Sequence, residues 1–288
     1  MAGLKEVKKR IGSVKNIRKI TKTMEMVSAA KSRKMMLRVY DSQPYGKKIL
    51  EVMNNLSNYV ADLNSPFLKV KDDPNIYLLL VITSNRGLCG AYNSNVLKLA
   101  RNRIRELQSA GKTIKLIVIG KKAASYFKFI RFPIEKVYYD FDDNFKYIQS
   151  KNLMELFKKM YLNNEFDILE VISTHYYSSS SQKPEITQLL PIAPKKGDVN
   201  KEISNILILP SKEIILDIMI PYVLEYTLYK LILEAVTSEQ IYRRIAMKSA
   251  SDSANDMTKS LTRLYNRKRQ GKITQEISEI VAGADAIK

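Results

Sequence analysis

Two long segments with a helical period of apolar residues stand at opposite ends of this 288-residue chain. Spacings of three and four place the apolar residues of the first segment on one stripe of a helix: Leu4, Val7, Ile11, Val14, Ile17, Ile20, Met24 and Val27. The last segment keeps this period almost to the chain end, through Ile241, Ile245, Met257, Leu261, Leu264, Ile273, Ile277, Ile280 and Ala284. A helix of about 70 residues would extend on the order of 100 Å, wider than a compact domain of this size. Residues 1–60 and 211–288 are therefore predicted to pack as an antiparallel coiled coil.

Two prolines interrupt these helical segments. Pro44 predicts a kink or break near Gln43, and Pro221 predicts a kink early in the C-terminal helix. Proline has this effect because it lacks a backbone N–H and its ring clashes with the preceding turn. Ser211, followed by Glu213, is a plausible helix start.

The period changes between residues 73 and 209. Short, wholly apolar runs at 75–83 and 112–120 are typical of strands that are buried on both faces. Alternation of strands with helices predicts a mostly parallel sheet with helices on its faces, a Rossmann-like α/β domain inserted between the two long helices. The remaining predicted helices are 93–107, 121–127 and 152–162, the remaining strands are 167–174, 185–190 and 206–209, and 193–198 is predicted to be an exposed loop.

The formal net charge is +19, and most of it lies at the two ends of the chain. Residues 1–40 contain twelve Lys and Arg against two acidic residues, and residues 243–288 contain ten against five. Basic arms of this kind indicate an acidic partner, which could be nucleic acid, an anionic lipid surface or an acidic protein.

Residue counts limit the kinds of site that this chain can form. One cysteine excludes an internal disulfide framework and a cysteine-based zinc site, and one histidine excludes a histidine-rich metal centre. The longest apolar run, Ile76–Ile82, is far shorter than the roughly 20 residues that a membrane helix needs. The sequence thus favours a protein of a reducing compartment with few groups suited to catalysis.

Two glycine-containing segments invite comparison with nucleotide-binding motifs, and neither is complete. Gly111-Lys112-Thr113 resembles the end of a P-loop, but the earlier glycine is replaced by Glu106 and a strand rather than a helix follows. Residues 86–90, Arg-Gly-Leu-Cys-Gly, lie between a strand and a helix, where dinucleotide folds bind phosphate, but the first glycine of that fingerprint is replaced by Asn85. We interpret the first as a loop that enters a strand and the second as a tight turn. Cys89 is interpreted as a passive small residue, and the strand-end histidine at 175 as a packed or surface side chain.

A basic helical nucleic-acid-binding protein is the main alternative from the residues alone. Long basic helices can lie along a duplex, and clusters such as 31–34 and 267–269 could contact phosphate. Readers of single strands interleave aromatic residues with basic ones, and residues 5–34 contain no aromatic residue. A nucleotide-dependent enzyme built on the α/β domain is a third possibility, and it lacks a complete motif.

Three blocks resemble the F-type ATP synthase gamma subunit family, of bacterial type. Residues 15–31 (KNIRKITKTMEMVSAAK) resemble its N-terminal helix, and residues 83–90 (TSNRGLCG) its internal turn. The C-terminal helix is matched by Glu239-Gln240, by residues 246–250 (AMKSA) and by residues 273–283 (ITQEISEIVAG). Because these blocks fall at the start, middle and end, the resemblance covers the whole chain.

The resemblance implies a non-catalytic rotor subunit of the central stalk, without a cofactor or a metal of its own. Its expected partners are the alpha and beta subunits of the catalytic ring, the epsilon subunit and the c-ring, with no nucleic acid. Its expected place is the cytoplasmic face of the bacterial inner membrane, reached only through the complex. By resemblance, the residues that contact the beta subunit are Lys22, Met24, Lys31, Gln240, Arg243, Thr274, Gln275 and Glu276.

Overall fold

The computed structural model describes residues 3–57, 65–69, 71, 73–192 and 212–285. In chain order, the described part begins with one long helix and ends with another, and the strands and shorter helices lie between them. The elements in chain order are α1 (Leu4–Ser57), β1 (Ile76–Ile82), α2 (Tyr92–Ser109), β2 (Thr113–Ile119), α3 (Lys121–Phe129), β3 (Lys136–Tyr138), α4 (Tyr147–Leu162), β4 (Ile168–Tyr176), β5 (Gln182–Leu190) and α5 (Lys212–Asp285).

The sheet has the order β3-β2-β1-β4-β5. Strand β1 pairs in parallel with β2 and β4, β2 pairs in parallel with β3, and only β5 is antiparallel, to β4. The mostly parallel sheet is therefore confirmed. Strand β3 was not predicted, because three residues are too few to show a period. The predicted strand 206–209 and the predicted loop 193–198 lie outside the described residues, as does Ser211.

The core forms on both faces of the sheet, since neighbouring residues of a strand point to opposite sides. From β1, Leu79 and Val81 pack in a cluster with Val96 of α2 and Phe127 of α3. The alternate residues of β1 pack in a second cluster with side chains of α1, α4 and α5. Every residue of Leu78–Val81 has no accessible surface, which explains why the sequence shows an unbroken apolar run there.

Helix α1 continues through Pro44 and helix α5 continues through Pro221. The break considered near Gln43 is therefore absent. Buried apolar residues on both sides of Pro44, Val39 and Ile49, anchor the two halves of α1 in the same core. Tertiary packing of this kind supplies most helical stability and here outweighs the local cost of proline.

The chain divides into two compact units, 1–29 with 243–288 and 30–242. In the larger unit, the Tyr226 hydroxyl of α5 donates a hydrogen bond to the Ser42 carbonyl of α1 at 3.0 Å, and Arg38 reaches Tyr229. From Tyr226 to Tyr229 the residue numbers rise along α5, while their partners on α1 fall from Ser42 to Arg38. The two helices therefore run antiparallel there. In the smaller unit, residues 6–14 of α1 and residues 257–261 of α5 line a common groove. The paired terminal helices are thus confirmed.

The predicted apolar stripe on α1 is wrong after Val14. Ile17, Ile20 and Val27 are 52%, 60% and 51% exposed, whereas the small polar residues Thr21 and Ser28 are buried. The less exposed positions recur every seven residues, as in a coiled coil: Val7, Val14, Thr21, Ser28 and Met35. Three residues make less than one full turn of a helix. The two consecutive spacings of three, from 14 to 17 and from 17 to 20, therefore turn the apolar stripe away from the positions of the seven-residue repeat. On α5 likewise, the predicted Ile245 and Met257 are exposed.

Candidate functional site: surfaces for partner subunits

The first backbone N–H groups of α3 are hydrogen-bonded to the segment that follows β1. A dinucleotide fold would present such groups to a phosphate. Gly120 has a φ of 97°, and a side chain there would overlap the Thr83 carbonyl. Residues 83–85 therefore cap α3, which supports the interpretation of this segment as a structural turn. The bonds are Lys121 N to Asn85 Oδ1 at 3.1 Å, Lys122 N to Ser84 O at 3.2 Å, and Ala123 N to Thr83 Oγ1 at 2.9 Å.

The tip of this turn exposes one apolar side chain. Leu88 is 61% exposed and has a φ of 61°, a left-handed conformation that costs energy for a residue with a side chain. Cys89 beside it is buried, and the Asn93 amide donates a hydrogen bond to its sulfur at 3.0 Å. The burial supports the interpretation of Cys89 as a passive residue.

The other two sequence candidates also have structural contacts. Lys112 forms an ion pair with Asp73 where the chain enters β2. The two ring nitrogens of His175 lie 3.2 Å from a Glu234 oxygen and 3.0 Å from the Thr187 hydroxyl. His175 is thus packed between α5 and β5.

Within the described ranges, no group of three or more His, Cys, Asp or Glu side chains could hold a metal ion. Also within those ranges, no helix has the length and apolar character needed to cross a membrane.

Lys22 and Met24 lie on the α1 part of the smaller unit. The Lys22 ammonium is 3.1 Å from the Glu25 carboxylate, and the Lys22 side chain is 59% exposed. Met24 is half-buried. Met24 continues the spacing of Ile17, Ile20 and Val27, so it borders an apolar strip on the outer side of α1.

The predicted residues near the end of α5 are all exposed. Their polar groups bond within the helix itself: Thr274 to the Gln270 carbonyl at 3.1 Å, Gln275 to Glu279 at 2.8 Å, and Glu276 to Lys272 at 3.3 Å. The apolar residues of the same turns, Ile273, Ile277 and Ile280, are 46%, 56% and 72% exposed. This end of α5 therefore presents an apolar stripe flanked by polar groups.

Lys31 lies in the larger unit and pairs with Asp143, at 2.8 Å. Burial raises the pKa of the Asp143 carboxyl, but the bond and charge of Lys31, with a smaller contribution from Arg86, outweigh burial and hold the pKa below its usual value. The structure thus brings together α1, the turn after β1 and the segment before α4. The sequence offered no signal for Asp143, since contacts between such distant positions need the fold.

Gln240 and Arg243 are buried, at 5% and 7% exposure. They stand on the same helix, with Gln240 in the larger unit and Arg243 in the smaller one. Of the predicted contact residues, these two therefore offer a partner the least surface.

Comparison with known proteins gives a consistent match. The family model described as ATP synthase matches residues 3–287. The ATP synthase gamma chain of Leptospira biflexa serovar Patoc is 46% identical over 288 residues, and that of Chlorobaculum parvum is 36% identical over 291 residues. Each match covers the whole of both chains.

Solved structures of similar fold come from ATP synthases. A chain of the Euglena gracilis mitochondrial ATP synthase (OSCP/F1/c-ring) has a TM-score of 0.67 at 21% identity, with 99% of this chain and 94% of that chain covered. A chain of the Tetrahymena thermophila mitochondrial ATP synthase central stalk and c-ring has a TM-score of 0.59 at 21% identity, with 81% and 99% covered. At this identity these likenesses concern the fold.

The matches confirm the expectation of a rotor subunit in the central stalk that is not itself the catalytic subunit, and they do not favour nucleic-acid binding. The family match extends over nearly the whole chain and the relatives match it from end to end. The chain belongs to the ATP synthase gamma-chain family.

Proposed function

We propose that this chain transmits rotation between a proton-driven membrane sector and a ring of alpha and beta subunits, at the cytoplasmic face of a bacterial inner membrane. A shaft without threefold symmetry cannot contact three beta subunits equally. Each beta subunit therefore meets a different face, and the differences in contact energy bias it to a different conformation. Rotation changes which beta subunit meets each face of the shaft, and so couples the membrane sector to the alpha/beta ring.

The observation that carries this proposal is the outward apolar strip on the basic smaller unit. Ile17, Ile20 and Val27 are more than half exposed, while Thr21 and Ser28 take the buried positions. Residues 1–29 and 243–288 contain eighteen Lys and Arg against seven Asp and Glu. Exposed apolar stripes mark protein interfaces, and the charge calls for an acidic partner. A ring of subunits with acidic and apolar inner surfaces would match both the exposed apolar strip and the positive charge.

The proposed beta-subunit contacts are the residues implied by the family resemblance. Met24 shares the spacing of the outward strip, Lys22 lies on a different side of α1, and Lys31 lies further along α1. Near the end of α5, the contacts are Thr274, Gln275 and Glu276. Gln240 and Arg243 belong to the same proposal, but their burial limits them to contact through an edge of the side chain.

Further partners are proposed from the assemblies in which similar folds occur. The titles of the similar structures name a c-ring and the F1 sector. We therefore include the c-ring, and by family resemblance the epsilon subunit, among the partners of this chain. No cofactor is part of the proposal.

Co-expression with alpha and beta subunits of the same source tests the function. A tagged chain should recover both subunits and ATPase activity, whereas the purified chain alone should hydrolyse no ATP. The variant Ile17→Ser/Ile20→Ser/Val27→Ser should recover less of the ring. Ile148→Ser is a matched control, because Ile148 is equally exposed, at 53%, but lies on α4.

Two results would contradict the proposal. One is retention of polynucleotide instead of subunits, released with a steep dependence on salt. The other is ATP turnover by the isolated chain that is abolished by a change at Lys112 or Arg86.

A further inference from the structure

Asp143 places a carboxylate beside a lysine that belongs to the proposed beta-subunit contacts. The Lys31 ammonium is 2.8 Å from this carboxylate, and the Lys31 and Asp143 side chains are 36% and 20% exposed. Burial alone would raise the pKa of Asp143, but the bond and charge of Lys31, together with the charge of Arg86, hold this pKa below its usual value. The carboxylate is therefore ionised at neutral pH, and it lies close enough to Arg86 for the two charges to interact.

The segment that carries Asp143, residues 139–146, is fixed by groups other than the carboxylate. Phe141 and Phe145 are 6% and 2% exposed, and both belong to one apolar cluster of the core. The Arg38 guanidinium of α1 donates to the Phe145 carbonyl at 2.7 Å and to the Asp143 carbonyl at 3.3 Å. Replacement of the Asp143 carboxylate by an amide should therefore leave the backbone of this segment in place.

The same segment borders the turn after β1. The Asn85 amide donates a hydrogen bond to the Tyr139 carbonyl at 2.7 Å. That turn exposes the Arg86 side chain and, at its tip, the apolar Leu88. Exposed apolar groups beside cations favour contact with an acidic protein surface. A partner that approached this surface would find the Asp143 carboxylate already beside the cations.

An internal carboxylate weakens the attraction of a cation for a second carboxylate. A partner group must share Lys31 with Asp143 or displace Asp143 from it, and in both cases the two negative charges repel. Each effect is small at a solvated surface, where one ion pair contributes about 0–1 kcal/mol. A weak contact suits a rotor, because a contact that strongly favoured one rotational state would raise the barrier to leaving it.

We propose that Asp143 limits the strength of the contact between this chain and an acidic surface of the beta subunit, by partly neutralising Lys31 and Arg86. The inference rests on the proposed rotor function and concerns the regulation of one of its contacts. Asp143 acts through the two cations and is a positioning residue rather than a catalytic one.

The test compares Asp143→Asn with the unaltered chain, each co-expressed with alpha and beta subunits. The quantity measured is the salt midpoint, the salt concentration at which half of the ring is released from the tagged chain. Loss of the carboxylate should raise the midpoint. At low salt the ring should dissociate up to about fivefold more slowly, which corresponds to about 1 kcal/mol for one exposed ion pair. In membrane vesicles, the same variant should pump fewer protons for each ATP hydrolysed.

Two further variants separate this role from simple support of the fold. Lys31→Gln should lower the midpoint by less than Asp143→Asn raises it, because the lysine is already partly neutralised. The double variant Lys31→Gln/Asp143→Asn should return most of the way to the midpoint of the unaltered chain. If the ion pair served only the fold, both single variants would lower the midpoint and the double variant would restore nothing. Asp143→Glu, which keeps the charge, should resemble the unaltered chain.

Glu51→Gln is the matched control for net charge. Glu51 also pairs with a lysine on α1, Lys48 at 3.1 Å, and its replacement changes the net charge by the same amount. The control should leave the midpoint unchanged. An equal rise in Glu51→Gln, or an Asp143→Asn complex that is released at the same or lower salt or does not assemble, would overturn the proposal. Failure of the unaltered chain to recover the ring would instead overturn the rotor function itself.

Discussion

The ring of Tyr226 on α5 lies directly against the backbone of Gly46 on α1, in the space that a side chain at position 46 would occupy. Its hydroxyl donates to the Ser42 carbonyl at 3.0 Å, and Tyr45 packs edge-on against the ring with centroids 5.4 Å apart. The glycine thus permits a close approach of the two long helices. This explains a residue that is otherwise unfavourable in a helix interior.

Gly46→Ala should destabilise the chain, although alanine is the better helix former. Overpacking typically costs about 1–3 kcal/mol, against a gain in helix propensity of about 1 kcal/mol. Gly12→Ala is the matched control, because Gly12 also lies in α1 but has no atom near its missing side chain. Urea unfolding of the full chain should show a loss for position 46 and a gain for position 12. Equal gains at both positions would contradict the packing argument.

Met24→Lys should uncouple ATP hydrolysis from proton pumping in the assembled enzyme. Methionine is flexible and can repack in several rotational positions of the rotor, whereas a lysine facing the proposed acidic partner surface would favour one of them. Met26→Lys is the control, because Met26 is 64% exposed and lies two residues along the helix, on a different side. ATPase rate and pumping are measured together in membrane vesicles. An equal loss of both would indicate misassembly instead.

Joint neutralisation of Lys22, Lys31, Arg33 and Lys34 to Gln should weaken assembly or coupling, most clearly at low salt. Single exposed ion pairs contribute only about 0–1 kcal/mol, so each replacement alone should have little effect. The measurement is recovery of alpha and beta subunits across a salt series. Recovery that equals that of the unaltered chain at low salt would remove this cluster from the proposed interface.

Asp167 should contribute to the loss of stability at acidic pH. Burial raises its pKa, but Lys71 and the N–H groups of Ile76 and Asn75 outweigh burial and hold the pKa below its usual value. A carboxyl with a lowered folded-state pKa stabilises the protein above its unfolded pKa, and this contribution disappears as pH falls through the folded value. The free energy of unfolding should therefore fall as pH drops below about 4.

Asp167→Asn should weaken this dependence, with the remainder supplied by other carboxyls such as Asp143, and should cost about 1–3 kcal/mol at neutral pH, because it weakens bonds to a charged acceptor. Unfolding at pH 7 and below pH 4 compares the two proteins. A variant with the same acid limb as the unaltered chain would show that other carboxylates set it.

Much of the fold could be predicted because helices and strands differ in the spacing of their apolar residues. The unbroken apolar run of β1 and the three-and-four spacing of α2 each have one simple explanation, and both elements formed where the sequence placed them. Strand β3 could not be predicted, since its pairing with β2 depends on a neighbour and not on its three residues. The continuation of α1 through Pro44 likewise depended on packing at Val39 and Ile49.

For the candidate site, sequence motifs indicated residues such as Lys22, Met24 and Lys31, but not their surroundings. The pairing of Lys31 with Asp143 joins positions far apart in the chain, and no local pattern encodes it.

The sequence by itself determined the class of the molecule: two long terminal helices, an inserted parallel sheet, a concentration of positive charge at the ends and a family membership. These follow from local periods, from composition and from motifs. Only the tertiary structure decided which side of each long helix is buried, because a shift of one residue turns a helix by about 100°. That rotation placed Thr21 and Ser28 inside and left Ile17, Ile20 and Val27 outside, available to partners.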